Sequence, residues 1–260
     1  MHKMKVIFLA LISVSVLVMG ILWLQPEPSI LENRPFVEYA NEPVPNFNKY
    51  TQVTEKKQAF FNYLKPAIYT QNQYIKSIRQ YVQGLQAKYL SAQALSRGQQ
   101  EELDWLINEY RVDQDQSVDK MFTEMLQKID IIPAELVLVQ TANESAWGTS
   151  RFATQGYNFF GIWCFTKGCG FVPSQRSSGA GHEVAKFTNL SNGMYAYMRN
   201  LNSHPAYKDL RIIRQQQRNN QKPISAYSLA QGLIKYSERG EEYIDELRQM
   251  MRVNKELMDL

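Results

Sequence analysis

Glu144, in "VQTANESAWGTSRF" at residues 139–152, is the residue whose type and setting best suit hydrolytic chemistry. The stretch reads as a helix that ends at Gly148. At about 100° per residue, Leu138, Val139, Ala142 and Ala146 cluster on one side and are expected to face the core. Val137, Gln140 and Glu144 lie on the other, so Glu144 points off the helix near its carboxyl end. The helix dipole is negative there and disfavours an ionised carboxylate. Trp147, three residues on, can wall off water on an adjacent face. Both effects raise an acid's pKa, and a carboxylic acid kept protonated near neutral pH is what a glycosidase general acid requires. An exposed glutamate at a fraying helix end would satisfy the same pattern.

Other reactive side chains give weaker constellations. Cys164 and Cys169, in "WCFTKGCG", are the two cysteines of the chain. They are half a zinc site at most, with no C-x-x-C or paired histidines to complete it. "HEVAKF" fails the H-E-x-x-H zincin pattern, because Lys186 stands where the second histidine belongs. Cys164 with His182 or His204 is a poor thiol hydrolase, and Ser145 and Ser150 lack the G-x-S-x-G turn. No metal or organic cofactor is implied. The aromatics Phe159, Phe160, Trp163 and Phe165 suit either a core or the stacking of sugar faces.

The elements that must hold these residues are mostly helical. The 260 residues are 44% hydrophobic and 21% charged, which favours a packed core over disorder. A net charge of +4 suits an anionic surface or polymer. It falls far short of the basic stripe of a nucleic-acid binder, and no nucleic-acid partner is expected. Lys3 and Lys5 precede an uncharged run from Val6 to Leu24, long enough to cross a bilayer. The run ends in Ile21, Leu22, Trp23 and Leu24 with no small-residue cut site, which favours an uncleaved signal-anchor (residues 1–24) over a cleaved signal peptide. The flanking lysines place the amino terminus in the cytoplasm and the remainder outside it. That compartment permits a Cys164–Cys169 disulfide.

Residues 25–50 carry Pro26, Pro28, Pro35, Pro43 and Pro45 and read as an extended linker. Residues 51–115 show helical stripes, such as Ile68, Tyr74, Ile75, Ile78, Val82 and Leu85, and then Leu103, Leu106 and Ile107 behind Ser96. From 116 to 260 come two helices, capped by Ser117 and opened by Pro133, an irregular Gly-, Cys- and Ser-rich stretch to Gly181, and more helix with a break at Gly240. The whole is α+β, mainly helical, with a small sheet expected in the irregular stretch.

Several of these segments occur together in a known family. "NESAWGTSRFATQGYNFFGIWC" resembles the E-S-x-W-G-x-S … N-x-F-G-I pattern of the glucosaminidases of glycoside hydrolase family 73. "VAKFTNLSNGMYAYMRNLNSHPAY" is similar to that family's F-x-x-Y-x-S segment, its following helix and its Pro-x-Tyr ending. "LAQGLIKYSERGEEYIDEL" is similar to the closing L-A … Y-A-T-x-x-x-Y segment. Through "GIWCFTKGCG" and "YSERG" the chain resembles the Bax-like, membrane-associated branch. The resemblance covers roughly residues 115–255.

It implies a lysozyme-like helical lobe with a small β-lobe closing over a cleft, and cleavage of the β-1,4 bonds of peptidoglycan glycan strands on the N-acetylglucosamine side. Glu144 takes the general-acid role. Tyr236 lines the cleft near the reacting sugar and helps hold its acetamido group or the attacking water. Asn158, Phe160 and Gly161 shape the cleft floor, although Asn and Gly also serve a tight turn and Phe160 would pack. Trp147 and Tyr195 join the substrate-binding set. The second carboxylate departs from the pattern, since "FVPSQR" carries no acid where the family's β-lobe glutamate is expected. Glu183 is the only acidic residue between Glu144 and Asp209 and is the candidate base. Failing that, the substrate's acetamido group could act as internal nucleophile. A lytic transglycosylase on the same fold, a catalytically silent wall-binding scaffold and a hydrolase of another N-acetylglucosamine polymer remain alternatives.

Overall fold

A 38-residue helix, α1 (Val53–Leu90), frames the molecule and spans roughly 57 Å at the ordinary helical rise. Its buried residues Phe60, Phe61, Leu64, Ile68, Ile75, Ile78, Val82 and Leu85 recur at helical spacing, so one continuous face is apolar. The computed structural model describes residues 29–30, 34–173 and 181–260. The expected signal-anchor, residues 1–24, lies outside the described residues. Among the described residues no helix is long and apolar enough to cross a membrane.

After α1 comes α2 (Arg97–Glu109), opened by a reciprocal capping box between Ser96 and Gln99. Helix α3 (Val118–Lys128) starts behind Ser117, whose hydroxyl accepts no capping hydrogen bond. Helix α4 (Ala134–Glu144) follows Pro133, and α5 (Arg151–Gly156) is capped by Ser150. Three short strands, β1 (Trp163–Cys164), β2 (Gly170–Phe171) and β3 (Glu183–Ala185), make an antiparallel sheet with β3 in the middle. Trp163 pairs with Val184, Cys164 with Glu183, and Gly170 with Ala185. The chain then returns to helix in α6 (Leu190–Ser203), a 3₁₀ turn at Pro205–Tyr207, α7 (Lys208–Asn219) and α8 (Ala226–Leu229). A 3₁₀ turn at Ala230–Leu233, α9 (Glu241–Val253) and α10 (Lys255–Met258) close it. The mainly helical α+β architecture with one small sheet is the expected one.

Helix α4 is the axis of the packing. Helices α1, α8 and α9 all lie against it, and every residue from Leu136 to Ala142 is buried. The two-sided reading of this helix is therefore corrected: Val137 and Gln140 are as buried as Leu138 and Val139. The approach to α4 is fixed by Arg214 of α7. Its buried guanidinium donates to the carbonyls of Gln127, Lys128, Asp130 and Ile131. The terminal carbonyls of a helix lack partners within it; Arg214 supplies those of Gln127 and Lys128 at the end of α3, and Arg79 supplies that of Leu126.

Two expected boundaries also change. From Arg34 onward the Pro-rich segment is laid onto the fold rather than left as a linker. Val37, Ala40 and Phe47 are buried, the Val37 amide donates to Ser191 Oγ at 3.1 Å, and the Phe47 ring meets Phe60 at 5.4 Å. Residues 51–115 are not set apart from 116–260 either, because the apolar face of α1 is covered by α3, α4 and α6. Arg34–Leu260 is a single compact unit.

Candidate active site

Glu144 is the last residue of α4. The helix stops there because the chain turns left-handed at Ala146, Trp147 and Gly148, with φ of 50°, 59° and 75°. Ser145 staples the turn: its hydroxyl donates to the Thr141 carbonyl at 2.5 Å and accepts the Gly148 amide at 2.8 Å. Gly148 is required twice over, by its positive φ and because a Cβ would sit 2.6 Å from the Phe47 ring. Helical extrapolation placed Ala146 in the core; beyond the helix end it is exposed.

The same turn throws Trp147 onto α1. Its ring lies 5.6 Å from Phe60 and 5.4 Å from Phe61, with Lys57 Nζ 5.0 Å from its centre. Trp147 thus anchors the turn to α1 instead of joining the groups around Glu144. The expected wall over the acid comes from elsewhere.

That wall is Tyr243 of α9, whose hydroxyl donates to Glu144 Oε1 at 2.9 Å. One turn back on α4, Gln140 Nε2 donates to the Tyr243 oxygen at 3.0 Å, and Gln140 Oε1 accepts from Tyr197 at 2.6 Å. On the other side is Gly161, with φ of +66°; a Cβ there would stand 3.5 Å from Glu144 Oε2. Burial pushes the Glu144 carboxyl above its ordinary value. The Tyr243 hydrogen bond and the Arg239 charge pull it back, and Glu246 adds to the rise. The direction is the expected one, but the cover is Tyr243 and the 158–162 turn.

Asn158 builds that turn. Its side-chain oxygen accepts the amides of Phe160 (3.2 Å) and Ile162 (3.1 Å), and its nitrogen donates to the carbonyls of Ile162 and Ala185, both at 2.9 Å. Phe160 is buried and stacks on Tyr197 at 4.3 Å and 12°. Gly161, the next residue of the turn, is exposed. Tyr236 donates its hydroxyl to the Phe160 carbonyl at 2.6 Å and stacks flat on Tyr243, 5.9 Å apart at 1°. Burial holds its phenol well above the ordinary tyrosine range. Asn158, Phe160, Gly161 and Tyr236 therefore converge with Glu144.

Tyr195 does not join them. Two residues along α6 from Tyr197, it points roughly 200° away around the helix. There it donates to Glu109 and packs near Tyr74 and under Arg34. Its expected place in a substrate-binding set is replaced by one in the packing of α6 on α1 and α2.

Glu183 is buried, and its two oxygens accept the amides of Gly168 (2.9 Å) and Gly170 (2.8 Å). Cys164 and Cys169 are joined by a disulfide. These three residues bring potential metal-ligand atoms within 4.8 Å of one another. With both sulfurs bonded and the carboxylate engaged, the group serves as the brace of the β-lobe, not as a ligand set. Of the aromatics in this stretch, Phe159 and Phe160 are core, whereas Trp163 and Phe165 are exposed.

Sequence reasoning missed Tyr243, although it had a signal. The Y-A-T-x-x-x-Y spacing counted from Tyr236 lands on Glu242, and Tyr243 stands one residue further, beyond Gly240 with its φ of 55°. Gln140 was placed on the same side as Glu144 but given no role. Glu246, one turn along α9 from Tyr243, was not considered; it pairs with Arg239 at 2.5 Å and accepts from Asn143 at 3.3 Å.

Comparison with known proteins bears on the same region. The glucosaminidase family, described as mannosyl-glycoprotein endo-beta-N-acetylglucosaminidase, matches residues 119–256. Protein bax of Escherichia coli (strain K12) is 31% identical over 216 residues, covering 83% of this chain and 76% of that protein. No solved structure matches.

Proposed function

We propose that this chain, which belongs to the Bax-like glucosaminidases of glycoside hydrolase family 73, hydrolyses peptidoglycan as an endo-β-N-acetylglucosaminidase with Glu144 as general acid. The observation that carries the reading is the environment of that carboxyl. It is half-buried, bonded at Oε1 by Tyr243 and faced at Oε2 by the exposed Gly161. An acid so placed holds its proton to higher pH than an ordinary glutamate and can hand it to a glycosidic oxygen.

Tyr236, with its hydroxyl on the Phe160 carbonyl, ties the cleft-floor turn to α9 and lines the site beside the reacting sugar. Glu183 braces the β-lobe through Gly168 and Gly170. With that carboxylate engaged, the substrate's own acetamido oxygen is the nucleophile this reading assigns. Residues 1–24 are assigned to a signal-anchor that holds the domain on the extracytoplasmic face of the cytoplasmic membrane.

The test is digestion of purified peptidoglycan with mass spectrometry of the new ends. Reducing N-acetylglucosamine ends are expected, and Glu144→Gln is expected to abolish them while keeping the wild-type circular dichroism spectrum. Anhydro-muramyl ends would instead assign a lytic transglycosylase, and binding without cleavage a wall-binding scaffold.

A further inference from the structure

The hydrogen bonds behind Glu144 have a direction. Tyr197 has one hydroxyl proton, and it goes to Gln140 Oε1 at 2.6 Å. With its oxygen so engaged, the amide presents Nε2 to the opposite side, where it donates to the Tyr243 oxygen at 3.0 Å. Tyr243 accepts there, so its single proton goes to the remaining neighbour, Glu144 Oε1 at 2.9 Å.

We infer that Tyr197, Gln140 and Tyr243 form a one-way chain of donors that places the transferable proton of Glu144 on Oε2, the oxygen beside Gly161. The inference rests on the reading of Glu144 as general acid. In a protonated carboxyl the carbonyl oxygen is the better acceptor, so the oxygen that takes the Tyr243 proton is the carbonyl one and the acid proton resides on the other. Among the described residues no donor is bonded to Oε2, and it is not a buried orphan. It is the oxygen from which a proton can leave toward a substrate lying on Gly161.

The reverse chain is disfavoured at its far end. If the Gln140 amide turned over, Nε2 would donate to Tyr197 and Oε1 would take the Tyr243 proton. Glu144 would then donate to Tyr243, with its proton aimed into the helices. The Tyr197 proton would need a new acceptor. That hydroxyl is fully buried, Gln140 is its one hydrogen-bond partner among the described residues, and its ring is clamped on Phe160. A buried hydroxyl with nowhere to donate is costly, so Tyr197 sets the sense of the whole chain. Gln140, Tyr243 and Tyr197 are positioning residues, acting through Glu144.

The titratable groups around the acid are Tyr243 and Glu246 of α9, Arg239 before it, Tyr236, Tyr197 of α6, and Tyr207 of the 3₁₀ turn after α6. Burial keeps the tyrosines neutral, leaving Arg239 and Glu246 as the charges; neither is altered in the experiment below.

The experiment compares wild type, Tyr243→Phe and Tyr197→Phe by the pH dependence of kcat/KM on purified peptidoglycan. In parallel, carbon-13 NMR titrates the Glu144 side chain, its resonance identified by loss in Glu144→Gln. Tyr243→Phe removes a donor to the anion. Both the alkaline limb and the NMR titration should move up by about one pH unit, and kcat should fall about tenfold as the proton is no longer confined to Oε2. Tyr197→Phe frees the amide to turn and should move both in the same direction by less. A merely structural role lowers activity and melting temperature but leaves the titration in place. An unmoved titration in folded variants, with wild type active and Glu144→Gln inactive, overturns the chain while leaving the acid assignment intact. Full activity of Glu144→Gln overturns the acid assignment instead, and the NMR titration still decides whether Tyr243 donates to Glu144.

Discussion

At the residue scale, Glu144 is an acid whose surroundings suit it to holding a proton and not to stabilising the fold. Its folded pKa is raised, so its contribution to stability is present below the unfolded carboxyl range and lost as pH rises through the raised value. Glu144→Gln should therefore melt higher than wild type at neutral pH, with the gap closing in acid below the ordinary glutamate range. Calorimetric melting temperatures across pH check this, and equal values throughout would mean the acid is not perturbed by burial. Gly161 is the matching test on the other side of the carboxyl. Alanine there meets a φ of +66° and brings a methyl to 3.5 Å from Oε2. We expect Gly161→Ala to cost about 1 kcal/mol of stability and, by narrowing the approach to Oε2, to lower kcat/KM far more than that loss accounts for. Steady-state kinetics beside thermal melts separate the two effects.

At the element scale, the β-lobe is small enough to depend on single contacts. Its strands have two, two and three residues, and the Glu183 carboxylate and the 164–169 disulfide do the bracing that a larger core would otherwise do. Glu183→Gln replaces a charged double acceptor with an amide that offers one acceptor, so one of the two glycine amides loses its partner. The expected result is a fall in cleavage of about tenfold, with amide exchange of Gly168 and Gly170 accelerated, since a charge-assisted hydrogen bond contributes about 2 kcal/mol. A loss of several thousandfold with unchanged exchange would restore Glu183 as the base.

The elements also show what a sequence conveys. That Glu144, Asn158, Gly161 and Tyr236 lie close together was legible because short motifs fix local turns, and local turns fix neighbours. The apolar stripe of α1 was legible from spacing, but not its partner, because periodicity says that a face is buried and not against what. Trp147 was misread because extrapolating a helix past residue 144 ignores the left-handed turn at 146–148. Tyr195 was mistaken for the side chain that faces the site, since one step of two residues separates opposite sides of α6. Tyr243 reaches Glu144 from 99 residues away, and its one-residue offset hid it from the motif.

At the scale of the whole molecule, the acid's position depends on a junction far from the cleft. Asp130 lies between α3 and α4 and is paired with Arg218 of α7 at 2.9 Å and with Arg79 of α1 at 3.8 Å. Its backbone carbonyl accepts from Arg214 and from Asn202 of α6. Four helices thus meet at the segment that launches α4 toward Glu144. Burial alone would push the Asp130 carboxyl up, but the Arg218 hydrogen bonds and the nearby Arg214 and Arg79 charges outweigh it and hold the group below the usual carboxylate range. For a depressed pKa the stabilisation is present above the unfolded carboxyl range and lost as pH falls through the folded value. Removing the charge takes the counter-ion from the buried Arg214 and the half-buried Arg79 and the bonded partner from the exposed Arg218, so Asp130→Asn should cost about 2 kcal/mol at neutral pH. The difference from wild type should shrink as the wild-type carboxylate is itself protonated in acid. Chemical denaturation at a series of pH values measures it. The pH limb of cleavage, set at Glu144 by α9, should stay where it is in Asp130→Asn assayed well below its melting temperature. A shifted limb would show that the junction tunes the acid directly rather than only holding up the helix that carries it.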